Sequence, residues 1–206
     1  SSPDYIGHQL GPNSMEIDIE RMKACMESAT ASVFILHPCA HNPTGMDLSK
    51  TQWKEIKEIF QRKKHIAFFD MAYQGFATGD LENDAYAVRL FAQDSSIPLI
   101  LTQSFAKNMG LYGQRTGCLS VLVGSEEEES QVTNRLGQLA SQHYSTLPLY
   151  GAKLSSIILS SPNLFELWNK DLATMAGRIN EMRKSLVKAL SNEGSKKDWS
   201  HIISQI

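Results

Sequence analysis

Residues 49–70, SKTQWKEIKEIFQRKKHIAFFD, read as a capped helix that runs straight into a buried strand. Ser49 stands where an N-cap accepts a backbone N–H. Trp53, Ile56, Ile59 and Phe60 then recur at helical spacing. Arg62-Lys63-Lys64 place positive charge in the last turn, where the helix dipole favours it. Ile66 to Phe69 follows as a short unbroken apolar run ending in Asp70, the pattern of a strand covered on both faces.

The same alternation extends outward in both directions. Upstream, Asp18 can cap a helix to about Ser28, and Ser32 to Leu36 is a second apolar, β-rich run followed by the turn-rich segment His37 to Gly45. Downstream come a helix over roughly Asp84 to Gln93, a strand over Ile97 to Thr102, the loop Ser104 to Gly110, and a strand over Cys118 to Val123. From Ser125 the pattern is almost wholly helical: one helix to about His143, a second from Pro148, and a long one over Pro162 to Asn192. The last carries Leu167, Leu172, Met175, Ile179, Met182, Leu186 and Leu190 in a stripe and spans ~45 Å at 1.5 Å per residue. Gly194 and Ser195 end it, Trp199 to Ile206 reads as the start of a strand or turn, and residues up to about Asn13 read as an irregular lead-in.

Strands alternating with helices predict an α/β fold with a mainly parallel sheet covered by helices on both faces, followed by a long interdomain helix. In open sheets of this kind ligands bind beyond the carboxyl ends of the strands. The segments after Leu36, Phe69 and Thr102 occupy that place.

Composition removes several classes of function. The 206 residues carry 20 Lys and Arg against 22 Asp and Glu, a formal charge of −2 with no basic block, which argues against a nucleic-acid or anionic-membrane surface. No apolar run approaches the ~18 residues of a spanning helix, and Ser1 to His8 lacks a signal-peptide core. Cys25, Cys39 and Cys118 are odd in number and widely spaced. They offer no disulfide framework and no paired metal motif, fit a reducing intracellular setting, and read as small buried hydrophobes. His37, Cys39 and His41 alternate along one extended segment, a poor arrangement for zinc, so no metal is expected.

Three features carry chemistry. Asp70 ends a buried strand, where a desolvated carboxylate needs a cation or strong donors, and Tyr73 three residues on can place a phenol in the same pocket. Lys107 lies in a loop after an apolar strand, with Ser104 before it and Arg115 after it. A pocketed lysine can form a Schiff base with a carbonyl, while a hydroxyl and a guanidinium suit a phosphate. Asn42, held extended before Pro43, can aim its amide into the strand-end cleft.

His41-Asn42-Pro43-Thr44-Gly45, Phe68-Phe69-Asp70-Met71-Ala72-Tyr73-Gln74-Gly75-Phe76 and Ser104-Phe105-Ala106-Lys107-Asn108-Met109-Gly110-Leu111-Tyr112 together closely resemble three signature segments of the aspartate aminotransferase family, class-I fold-type-I enzymes dependent on pyridoxal phosphate. The resemblance runs from about Ile17 to the end of the chain. It implies that Lys107 forms the Schiff base with pyridoxal 5'-phosphate and later shuttles the substrate Cα proton. It also implies that Asp70 pairs with the pyridine nitrogen, that Tyr73 and Asn42 donate to the phenolic oxygen, and that Ser104 and Arg115 hold the phosphate. The implied activity is transamination between aspartate or glutamate and a 2-oxo acid by a homodimer, cytoplasmic or, alternatively, mitochondrial.

The resemblance also implies an organisation: residues 1–161 as part of the cofactor-binding large domain, 162–206 as the interdomain helix and the start of a small domain, with further family segments outside this chain. Two departures stand out. Ser141 occupies the position of the family arginine that binds the distal substrate carboxylate across the dimer, and Gln114 stands where an acidic residue is usual. Losing a bidentate carboxylate partner predicts weaker dicarboxylate binding, compensation by His143 or Arg135, or a range shifted toward neutral or aromatic amino acids. A non-catalytic binding or dimerisation role is the reading from a different class.

Overall fold

Two side-chain caps and a three-strand parallel sheet set the first half of the molecule. The computed structural model describes residues 17–206, so the lead-in up to Asn13 lies outside the described residues. Helix α1 (Ile19–Ser28) starts where the Asp18 carboxylate accepts from the Arg21 N–H at 3.0 Å. Helix α2 (Lys50–Lys63) starts with a reciprocal pair: Ser49 Oγ accepts from the Gln52 N–H, and Gln52 Oε1 accepts from the Ser49 N–H.

The strands β1 (Val33–Leu36), β2 (Ile66–Met71), β3 (Leu99–Ser104) and β4 (Gly117–Leu122) lie side by side in chain order. The first three are parallel, with Leu36 beside Phe69 and Asp70 beside Thr102. β4 returns antiparallel to β3, placing Gly117 beside Ser104, so the loop between them doubles back over the strand ends.

The core fills the face on which α2 and α4 (Tyr86–Ala92) pack. Trp53, Ile56 and Phe60 meet Ala67 and Phe69 of β2, and Phe91 stands edge-on to both Phe60 and Phe69 with ring centroids 5.3 Å apart. His65 is fully buried there without cost in unpaired groups, since Nδ1 accepts from the Ser32 N–H and Nε2 bonds the Met26 carbonyl.

Several expectations are corrected. β1 is not buried on both faces: Val33 and Ile35 are 55% and 64% exposed among the described residues, while Leu36, on the opposite face, is buried. The helix expected over 84–93 is two short ones, α3 (Leu81–Asp84) and α4, broken where the Asp84 carboxylate turns inward to accept loop N–H groups. β2 and β3 each run to Met71 and Ser104, past the ends expected from the apolar runs alone. Of the strand or turn expected over 199–206, the turn is found: residues 201–204 form a helical turn, α8 (His201–Ser204).

The second half is α5 (Glu126–Tyr144), α6 (Tyr150–Ser160) and α7 (Pro162–Asn192), close to the expected boundaries. Pro162 at the first turn of α7 explains its sharp start. Of the expected α7 stripe only Leu172 is buried, and the face that packs inward is that of Leu172 and Ala176. No helix of the described residues is long and apolar enough to cross a membrane.

Candidate functional site

Three loops leave the carboxyl ends of β1, β2 and β3, and each is shaped by its own local hydrogen bonds. In the first, residues 37–45, the Asp47 carboxylate accepts from the backbone N–H groups of Ala40 and His41 at 2.6 and 2.9 Å, which holds Ala40 in the left-handed region at φ 46°. Burial pushes the Asp47 carboxyl above the usual carboxylate range, against the pull of those two N–H groups. Asn42 follows, in a cis peptide with Pro43.

In the second loop the Asp84 carboxylate, 2% exposed, accepts from the N–H groups of Gly75, Ala77 and Thr78 and from the Thr78 hydroxyl. This winds the chain after Tyr73 into a fixed turn. Gly75 sits at φ 93°, and a Cβ there would run into the Leu172 side chain of α7, so both conformation and space require glycine. In the third loop Ser104 Oγ accepts from the Ala106 N–H, and the Gly110 N–H donates to the Lys107 carbonyl, coiling the lysine into a turn of helix.

These loops bring Asn42, Tyr73 and Lys107 to one cavity of about 350 Å³, closed further by Phe76 and Tyr112 and, from α7, by Ile179 and Arg183. Lys107 Nζ lies 5.3 Å from the centroid of the Tyr73 ring. A second cavity, about 210 Å³, is lined by Ser104, Arg115 and Thr116, so the chain from Ser104 to Lys107 contributes to both. Arg115 Nη1 donates to the Tyr112 carbonyl at 3.1 Å, fixing the guanidinium at that cavity.

Asp70 departs from expectation. It is half exposed, at 50% of its side chain, and lines neither cavity, because strand alternation turns it to the face opposite Phe69 and Met71. Its neighbour is His37, whose Nε2 stands 3.9 Å from Asp70 Oδ2. His37 Nδ1 accepts the Asn42 N–H at 3.2 Å, so in the neutral ring the proton belongs on Nε2, facing Asp70. Sequence reasoning weighed His37 only as a metal ligand. The signal lay in strand pairing, since Leu36 beside Phe69 puts the next two residues side by side.

Arg183 and Ile179 were also missed, being remote in sequence and ordinary in a long helix. Ser141, His143 and Arg135 all lie on α5, exposed, and none lines either cavity. The three cysteines do not share one environment: Cys39 is buried as expected, Cys25 partly so, and Cys118 is exposed on β4.

The donor set decides what the site suits. One cavity offers an amine, a phenol and an amide, and the adjoining one a guanidinium and a hydroxyl, with a carboxylate on the strand between β1 and β3. That set fits a ring bearing an aldehyde, an acidic hydroxyl and a phosphate, as pyridoxal phosphate does.

Comparison with known proteins agrees. The chain matches the family described as aminotransferase class I and II over residues 7–206. It is 46% identical over 205 residues to the mitochondrial aspartate aminotransferase of Arabidopsis thaliana, covering 99% of this chain and 47% of that protein. To the cytoplasmic aspartate aminotransferase of Saccharomyces cerevisiae it is 43% identical, covering 89% of this chain and 46% of that protein. Among solved structures, the aromatic-amino-acid aminotransferase of Burkholderia pseudomallei, covalently bound to pyridoxal phosphate, superposes with a TM-score of 0.89 at 35% identity, covering 93% of this chain and 48% of that one. The chain thus spans about half the length of the relatives it matches.

Proposed function

This chain belongs to the class I and II aminotransferases, and on that premise we propose that it forms part of a pyridoxal-phosphate enzyme moving an amino group from aspartate or glutamate to a 2-oxo acid. The observation that carries the proposal is the convergence of Asn42, Tyr73 and Lys107, from three separate loops, on one cavity. A non-catalytic binding or dimerisation role leaves that convergence without a reason. A range shifted toward neutral or aromatic substrates, raised by Ser141, is not favoured by relatives named as aspartate aminotransferases.

In this proposal Lys107, Tyr73, Asn42, Asp70, Ser104 and Arg115 hold the cofactor. Bound, pyridoxal phosphate supplies an aldehyde that condenses with amines and a protonated ring that takes up the electron pair left when the substrate Cα loses its proton. Lys107 supplies the amine in the cavity lining, and with the cofactor bound its Nζ would be the base placed to take the substrate Cα proton and return it two atoms away, across the substrate nitrogen. Tyr73 and Asn42 donate to the phenolic oxygen and favour its anion. Asp70 would accept from the ring N–H, and His37, whose Nε2 stands 3.9 Å from Asp70 Oδ2, would orient that carboxylate. Arg115 and Ser104 anchor the phosphate and so fix the ring's position over the reaction.

We assign residues 1–161 to the large cofactor-binding domain and 162–206 to the interdomain helix and the start of a small domain. The active form is a homodimer, with the exposed apolar side chains of α5 to α7, such as Leu139, Ile157 and Leu167, available for burial against further protein. The relatives include mitochondrial and cytoplasmic proteins; we place this one in the cytoplasm, with the mitochondrion as the alternative. The test is direct: the full-length protein, given pyridoxal phosphate, should show a visible absorbance band that aspartate bleaches and 2-oxoglutarate restores. Failure to take up the cofactor overturns the proposal.

A further inference from the structure

One face of α7 touches the loops that carry Lys107 and Tyr73. The Trp168 indole N–H donates to the Asn108 carbonyl at 2.7 Å, one residue beyond Lys107. Leu172, one turn on, packs where Gly75 leaves room for it, and Ala176, a further turn on, faces Gly79. Ile179 and Arg183 continue the face into the larger cavity itself. The spacing 168, 172, 176, 179, 183 is that of a single helical stripe, so one rigid element touches both loops and sets their relative positions.

A cross-link between the loops completes the arrangement. The Asn108 side-chain N–H donates to the Gln74 carbonyl at 3.2 Å, tying the residue after Lys107 to the residue after Tyr73. Asn108 is 3% exposed, and its Oδ1 is buried with no hydrogen-bond partner among the described residues. A buried amide whose oxygen is unpartnered is a poor packing choice, and the residue's stabilising contacts are the side-chain bond to Gln74 and the backbone bond from Trp168. The Lys107 turn has few other anchors: its remaining bonds run within the loop, apart from Phe105 N–H to the Thr116 carbonyl.

We infer that Trp168 is a positioning residue for Lys107: its indole N–H clamps the Asn108 carbonyl and so sets where the neighbouring lysine amine stands relative to Tyr73. The inference rests on Lys107 being the reacting amine. It predicts a specific division of effects, because a donor that only stabilised the fold would leave the reaction's proton-transfer step unchanged.

The test replaces Trp168 in the full-length protein with benzothienylalanine, which keeps the bicyclic shape and exchanges the N–H for sulfur. Trp168→Phe is the conventional counterpart. In the cofactor-free protein, amide hydrogen exchange of residues 105–110 should quicken about tenfold while β2 and β3 keep their protection. In the loaded protein, kcat should fall about tenfold with KM within twofold, and the kinetic isotope effect with α-deuterated aspartate should rise. Unchanged exchange at 105–110 overturns the inference, as does exchange that quickens equally through the sheet, or a lowered kcat with an unaltered isotope effect. A wild-type protein without a visible cofactor band refutes the proposed function instead, while the cofactor-free exchange experiment still decides whether Trp168 holds the loop.

Discussion

His37 Nε2 lies 3.9 Å from a carboxylate oxygen of Asp70, while its other ring nitrogen accepts the backbone N–H of Asn42. One imidazole thereby joins two residues assigned to different atoms of the cofactor, Asp70 to the pyridine nitrogen and Asn42 to the phenolic oxygen. The link depends on register, since parallel pairing of Leu36 with Phe69 sets the ends of β1 and β2 level.

Replacing His37 by Phe keeps a planar ring and removes both the hydrogen bond from the Asn42 N–H and the polar contact with Asp70. Cofactor affinity and kcat should each fall about tenfold, the equivalent of about 1.4 kcal/mol. His37→Asn should recover part of the loss, because its amide can donate to Asp70. Equilibrium titration with pyridoxal phosphate and steady-state kinetics measure both.

Gly75→Ala forces a side chain at φ 93° into the space held by Leu172. Strain at such a position costs about 1–3 kcal/mol, and the displaced loop carries Tyr73. Urea unfolding should show the loss in stability, and turnover should drop with it. A variant as stable as the parent would mean that α7 and this loop are not in contact.

Burial, reinforced by the nearby Asp84 and Asp47 carboxylates, pushes the Cys39 thiol up, whereas Cys118 is exposed. Of the three cysteines in this chain, Cys118 should react first with a thiol reagent at pH 8, and Cys39 only after unfolding. Mass mapping of the labelled peptides reads the order.

Asp47 has its pKa raised in the folded state, chiefly by burial. A carboxyl raised on folding binds its proton more tightly in the native chain than in the unfolded one. Its contribution therefore favours the fold at low pH and is lost as pH rises through the raised value. Compared with Asp47→Asn, the parent protein should gain stability as pH is lowered from 7 toward the ordinary carboxylate range. The measurement is the difference in unfolding free energy between the two across that window.

The parts of this molecule legible in the sequence are those governed by local rules. Ser49 and Asp18 are caps because a short oxygen-bearing side chain before an apolar period has one good use, and both act as caps. The signature segments holding Asn42, Tyr73, Ser104 and Lys107 carry their resemblance in contiguous residues, and Arg115 follows the last of them closely, so these could be singled out directly. What escaped depends on distant pairing. The exposure of Val33 and Ile35 follows from which face of β1 is packed, and an apolar run reads the same whether one face or two are packed. Asp70 was expected desolvated because an apolar run precedes it, but alternation places it on the open face. His37, Asp84 and Trp168 act through residues 33, 9 and 60 positions away, respectively, at Asp70, Gly75 and Asn108, and no local pattern marks them.

Lys107 is the amine proposed to hold pyridoxal phosphate. Loading the full-length protein with the cofactor, reducing it with borohydride and mapping the digested peptides tests that assignment in one step. A single phosphopyridoxyl label is expected, on the peptide containing Ser104 to Gly110 and borne by Lys107, and none after Lys107→Ala. A label on a different lysine, or no label on a protein that nevertheless transaminates, would contradict it.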